Sequence, residues 1–320
     1  MPQDSTYIID KETDTIFIID RSGDPYYREK EEPDYGFGFI VLASFLLFFS
    51  LPIILRFLAK QIRRLMRHSF ITRQKVKAIK RVYEDREVEY RNWLFHYNPY
   101  YRRLSEELKD RFLTRTLLFR AGKNFHFHEI DEQERIPLLI SAAAVQLTFG
   151  LEQYQMDYFK DIHILRENYH YGLYNVPFEG HVSDDGIFFS WSNFERAFAD
   201  YSDGQNVGLH EMAHALAYVN FVVKDGKDPA FAERFVTFSK TGRRIFNEMQ
   251  TVPNMLGAYA ATNYNEFWAV CVENFFERPF ELKTHLPELY TQLTLLLNQD
   301  PMHPGLFLHV IENEPDLSVG

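Results

Sequence analysis

At 320 residues, 46% of them hydrophobic and including 30 Phe and 19 Tyr, the chain has apolar material for one large domain or two ordinary ones. Its formal net charge of −10 argues against a general nucleic-acid binder, because no excess of positive charge is available to displace counterions along a duplex. Cys271 is the only cysteine, which excludes an intrachain disulfide and a thiolate-rich metal site and suits a reducing compartment.

Residues 1–35 are polar and acidic and read as a mostly disordered tail, in which YIID at 7–10 and IFIID at 16–20 could pair weakly as a hairpin. From Gly36 to Leu55 no charged side chain occurs, and the run GFGFIVLASFLLFFSLPIIL has about the 20 residues that a helix needs to cross roughly 30 Å of hydrocarbon. Basic residues follow this run instead of preceding it, and no small-residue cleavage site comes after, so it reads as an uncleaved transmembrane helix and not a signal peptide. Arg56, Lys60, Arg63, Arg64, Arg67, Arg73 and Lys75 crowd the segment 56–91, which reads as a helical juxtamembrane linker facing an anionic leaflet. By the positive-inside rule the N-terminus lies outside and the C-terminal body in the cytoplasm, as expected of a single-pass protein of the bacterial inner membrane.

Asn98-Pro99 then breaks the chain, and Ser105-Glu106-Glu107 caps a periodic stretch, LKDRFLTRTLLF, with apolar residues on one face. NFHFHEI, 124–130, alternates like a strand; with no third ligand nearby, His126 and His128 read as polar residues of a half-exposed strand. The apolar run 136–151 is too short for a second span and reads as a buried core helix. DIHIL at 161–165 reads as a strand, and residues 181–192 as a hairpin with Asp-Asp-Gly at its turn, able to offer an edge strand to an extended peptide.

The stretch NVGLHEMAHALAYVN, Asn206 to Asn220, is apolar nearly all round, so a helix here is buried. Yet it carries His210, Glu211 and His214. Four residues is about one turn, so the two imidazoles project from one face, spaced to share an ion, with Glu211 beside them. Burying three ionisable groups unpartnered costs several kcal/mol, which a tetrahedral zinc held by neutral imidazoles would largely remove. The reading is a zinc hydrolase helix with Glu211 as general base. A further helix is expected within 225–255. After it comes AYAATNYNEFWAVCVENFFERP, 258–279, where Thr262 or Asn263 caps a second buried helix. Glu266 and Glu273 lie two turns apart on one face, and spacing alone leaves open which of them meets the ion.

The runs NPYYRRLSEELKDRF, WSNFERAFADYSDGQNVGLHEMAHAL and AYAATNYNEFWAVCVENFFERP resemble the Mlc titration factor A family of zinc peptidases, over roughly residues 92–305. That resemblance implies a catalytic core similar to that of anthrax lethal factor and one Zn2+ per chain, with His210, His214 and Glu266 as ligands and Glu211 as base. Tyr259 matches a tyrosine that stabilises the oxyanion. Ala217 departs from an acidic residue common in the family, and Val270 stands where lethal factor has a glutamate, so Glu273 is the candidate to support a ligand histidine. The fold implied is α+β: a zincin-like metallopeptidase domain, 92–310, with a small sheet and a buried HExxH helix, preceded by one transmembrane helix and followed by a tail, 311–320. Expected partners are a peptide or protein substrate, the lipid bilayer through 36–55 and a transcription factor, since the family takes its name from association with a glucose-responsive repressor. Two rivals to the peptidase reading are a membrane-tethered regulator that binds such a repressor with little catalysis, and a structural zinc protein with all four positions filled. The three convincing ligands favour the open, catalytic arrangement.

Overall fold

A computed structural model of the chain describes residues 5–10, 15–20, 50, 77–79, 81, 83–172, 177–223 and 228–309. They fall in two compact units, Met1–Arg67 and His68–Gly320. In the first, β1 (Ser5–Asp10) pairs antiparallel with β2 (Thr15–Asp20), from Ser5 opposite Asp20 to Asp10 opposite Thr15, joining the two short apolar runs of the acidic segment. Apart from Ser50, the expected span 36–55 lies outside the described residues, as do most of the basic segment and the tail 311–320. Among the described residues no helix is long and apolar enough to cross a membrane.

In the second unit a 3-10 turn, Glu84–Arg86, leads into α1 (Glu87–Tyr97) and then a single turn, α2 (Pro99–Arg102), separated from α1 at Asn98, whose side chain caps the turn by accepting from the Tyr101 amide at 2.8 Å. Tyr90 and Leu94 of α1 are wholly buried. Ser105 caps α3 (Glu106–Ala121). Instead of one apolar face, all residues from Phe112 to Phe119 are buried. The Thr114 and Thr116 hydroxyls donate to carbonyls one turn back, and Arg115 Nη1 reaches across to the Thr148, Phe149 and Leu151 carbonyls. Those carbonyls end α4 (Arg135–Thr148), the expected core helix, which is buried from Ile136 onward.

Between and after these helices runs a four-stranded sheet in the order β3-β4-β6-β5, where β3 is Asn124–His128, β4 Asp161–Leu165, β5 Gly180–Ser183 and β6 Gly186–Ser190. β3 and β6 flank β4 in parallel, while β5 turns back antiparallel on β6 as the expected hairpin, with Asp184 and Asp185 at its tip. The hairpin stops two residues sooner than its pattern suggests, because Trp191 and Ser192 open α5 (Trp191–Ala199). Ile162, Ile164, Ile187 and Phe189 are fully buried on the inner face, against the helices. The motif helix α6 (Val207–Tyr218) packs on α4, on β5 and β6, and on a later helix at Tyr264–Glu277, and runs into a π-helical turn, Val219–Val223.

α7 (Pro229–Met249) follows, then the short α8 (Gly257–Ala260), α9 (Tyr264–Glu277), α10 (Pro279–His285) and α11 (Pro287–Leu297). Trp268 joins these parts: its ring packs between Phe231, Phe235 and Phe238 of α7, and its indole N–H donates to the Ala213 carbonyl of α6 at 2.9 Å. The unit is thus mixed α and β, with a small sheet and a buried motif helix.

Candidate active site

Asn206 starts the motif helix, its side-chain oxygen accepting from the Leu209 amide at 3.0 Å. One turn later His210 and Glu211 are buried, and His214 is half-buried on the same face as His210. Asn263 caps α9 by accepting from the amides of Asn265 and Glu266, at 2.9 and 3.1 Å, which holds Glu266 in the first turn. The Trp268 bond sets α9 against α6, and the two faces meet. His210 Nε2 lies 3.1 Å from His214 Nε2 and 2.9 Å from Glu266 Oε2, and His214 Nε2 lies 3.5 Å from that same oxygen. A tetrahedral zinc with bonds of about 2.0–2.1 Å holds its ligand atoms roughly 3.3–3.4 Å apart, so this triangle fits one face of such a shell. Among the described residues it is the one group of three His, Cys, Asp or Glu side chains that converges in this way.

Behind His210, Glu273 takes the other ring nitrogen: Oε1 is 2.6 Å from His210 Nδ1, and Oε2 accepts from the Asn206 amide at 2.6 Å. One turn on, Glu277 accepts from the Asn206 side chain at 2.8 Å and from the Gly204 amide at 3.1 Å. The two carboxylates clamp the loop that enters the motif helix and orient the imidazole. Asn206 and Glu277 were not singled out in the sequence, although an Asn before the periodic run and a third Glu at helical spacing were there to be read.

Burial works against charging His210, but Glu273 and Glu266 outweigh it and hold the ring protonated well above the ordinary imidazole range. Burial likewise opposes ionising Glu266, yet hydrogen bonds from His210 and His214 keep that carboxyl well below its usual range. For Glu211 burial wins over the neighbouring imidazoles, and its carboxyl is pushed up to about 7. A buried acid poised near neutrality can take and return a proton. Gly180 of β5 explains how it fits: a Cβ there would stand 2.6–2.8 Å from the Glu211 side chain, so only glycine lets strand and carboxylate approach this closely.

Tyr259 comes from α8, entered through Gly257 at φ +79, a left-handed turn that glycine accepts without strain. The residue is 59% exposed, its ring centroid 5.9 Å from that of His210, and burial followed by the Glu266 carboxylate pushes its hydroxyl well above the ordinary phenol range. Far from the ion site, His126 and His128 do stand on the outer face of the sheet, but facing them on β4 is His163. A cleft of about 270 Å³ lined by residues such as Arg135, Arg166 and Trp191 holds none of the groups at the motif helix.

The sequence pattern of the family described as glucose-regulated metallo-peptidase M90 matches residues 71–297. The match reaches further towards the N-terminus than the resemblance at 92–305. An uncharacterized protein of Synechocystis is 23% identical over 224 residues, 64% of this chain and 81% of that protein. The proteins named Mlc titration factor A from Yersinia pestis and Yersinia pseudotuberculosis are 29% identical over 123 residues, 36% of this chain and 45% of theirs. This chain therefore spans less than half the length of those two relatives.

Proposed function

The chain belongs to the glucose-regulated metallo-peptidase M90 family, and from that premise we propose that it is a membrane-anchored zinc peptidase whose catalytic domain lies in the cytoplasm. The observation that carries the activity is the convergence of His210, His214 and Glu266 beside the buried Glu211. These three residues would hold the ion. Bound there, zinc would lower the pKa of a water towards about 7 and polarise the scissile carbonyl. Glu211 takes the proton as the water attacks and passes it to the leaving amine. The Tyr259 hydroxyl donates to the developing oxyanion, and its position on an exposed, glycine-hinged turn lets it meet the substrate. The ion would replace the proton that His210 otherwise carries on Nε2, and Glu273, at Nδ1, keeps the remaining proton and the ring in the tautomer and orientation that a ligand needs. β5 ends the sheet next to Glu211, so an extended peptide that pairs along it brings a backbone carbonyl to the base.

Anchoring rests on the uncharged run 36–55, and orientation on the basic residues behind it. A second reading is favoured by the name of the Yersinia relatives, Mlc titration factor A: a tethered regulator that captures a transcriptional repressor. A pure binder has no need of Glu211 poised beside three ligands. Cleavage of a peptide library by the purified chain, with Glu211→Gln as control, separates the two. Peptidase chemistry predicts cleavage by the parent and none by the variant, with zinc content equal; equal cleavage by both refutes Glu211 as base, and none by either favours capture.

A further inference from the structure

The outer face of the sheet carries a row of rings from successive strands. His126 stacks on His163 at 4.7 Å between centroids, His163 on Phe188 at 4.2 Å, and Phe188 on His181 at 4.2 Å. Alternation along the strands puts this row on the side away from the buried Ile162, Ile164, Ile187 and Phe189, hence away from the motif helix. At its edge, His128 Nε2 of β3 lies 3.0 Å from His163 Nδ1 of β4. This is nearly the 3.1 Å that separates the two imidazole nitrogens of the motif helix. We propose that His128 and His163 form a second, solvent-open metal site that takes a borderline transition-metal dication such as Zn2+.

Three features prepare the pair. His163 is held between His126 and Phe188, so its ring loses little freedom on coordination. A hydrogen bond with the Asp185 backbone also fixes the His163 ring, while its Nδ1 faces His128. On the side of His163 away from His128, Asp161 accepts from His126 Nε2 at 2.7 Å and fixes the ring that stacks on His163. Without an ion, one imidazole N–H bonds the other nitrogen. With one, the His128 proton moves to its Nδ1 and both lone pairs face the metal, while water fills the remaining positions. Imidazole suits zinc, copper and nickel and discriminates against magnesium and calcium. Two protein ligands make the site weaker than the three-ligand one.

The test uses the full chain in detergent, stripped with chelator and equilibrated against micromolar free Zn2+, with bound metal counted per chain. The parent is expected to hold two ions, and His128→Asn and His163→Gln one each. His128 is exposed at a strand end, so its variant keeps the fold, which a thermal melt verifies. A parent that stops at one ion, or either variant that still holds two, overturns the proposal. His214→Ala serves as the independent arm: it should lose the other ion, and its keeping both would count against the motif-helix site and not against this one.

Discussion

Replacing Glu273 by Gln separates orienting a ligand from being one. Both oxygens of Glu273 accept, one from His210 Nδ1 and one from the Asn206 amide, each at 2.6 Å. Glutamine offers one oxygen and one NH2, so one of these buried donors must face another donor, which costs about 1–3 kcal/mol. The ion ligands are untouched. Zinc affinity should therefore fall by about 10–100-fold, equivalent to roughly 1.4–2.7 kcal/mol, with full occupancy restored at saturating metal and slow cleavage retained. Glu266→Gln instead removes the one charged ligand, whose Oε2 stands 2.9 and 3.5 Å from the two imidazole nitrogens, and should leave nearly metal-free, inactive protein. Competitive zinc titration of both variants against a chromogenic chelator reads the difference. If the Glu273 variant cannot be loaded while the Glu266 variant binds normally, the roles are inverted and the reasoning fails.

Gly180→Ala places a methyl 2.6–2.8 Å from the Glu211 side chain and should cost about 1–3 kcal/mol in chemical denaturation and most of the cleavage rate, with zinc retained; normal turnover would show that the carboxylate need not sit there. Burial, partly offset by the Asn206 hydrogen bond, pushes the Glu277 carboxyl up to about 8, so between about 4.5 and 8 the folded state holds a proton that the unfolded state has released. Its contribution to stability is present below that window and lost as pH rises through it, by up to about 1.4 kcal/mol per pH unit, and unfolding titrations of Glu277→Gln should show a flatter pH profile than the parent. A reporter active only in the cytoplasm should work when fused after Gly320 and one active only outside when fused before Asp34; the opposite pattern would reverse the orientation.

Much of the site was legible because local pattern determines it. The imidazoles at a four-residue spacing, the capping Asn263 and the alternation in NFHFH and DIHIL each act through neighbours in sequence, and α6, α9, β3 and β4 follow them closely. What spacing could not supply was the partner across space. Glu266 and Glu273 share a helix face, and only the packing of α9 on α6, set by the Trp268 bond and by α9's two-turn rise, puts one oxygen at both imidazoles and the other carboxylate behind His210. Gly180 carries no signal of its role in the sequence; only the sheet lays it against Glu211. In the same way His128 lacks a neighbour along the chain until the parallel pairing of β3 with β4 brings His163 beside it. Strand order and helix crossing depend on which buried surfaces fit together over long stretches of chain, and no short window of sequence carries that information.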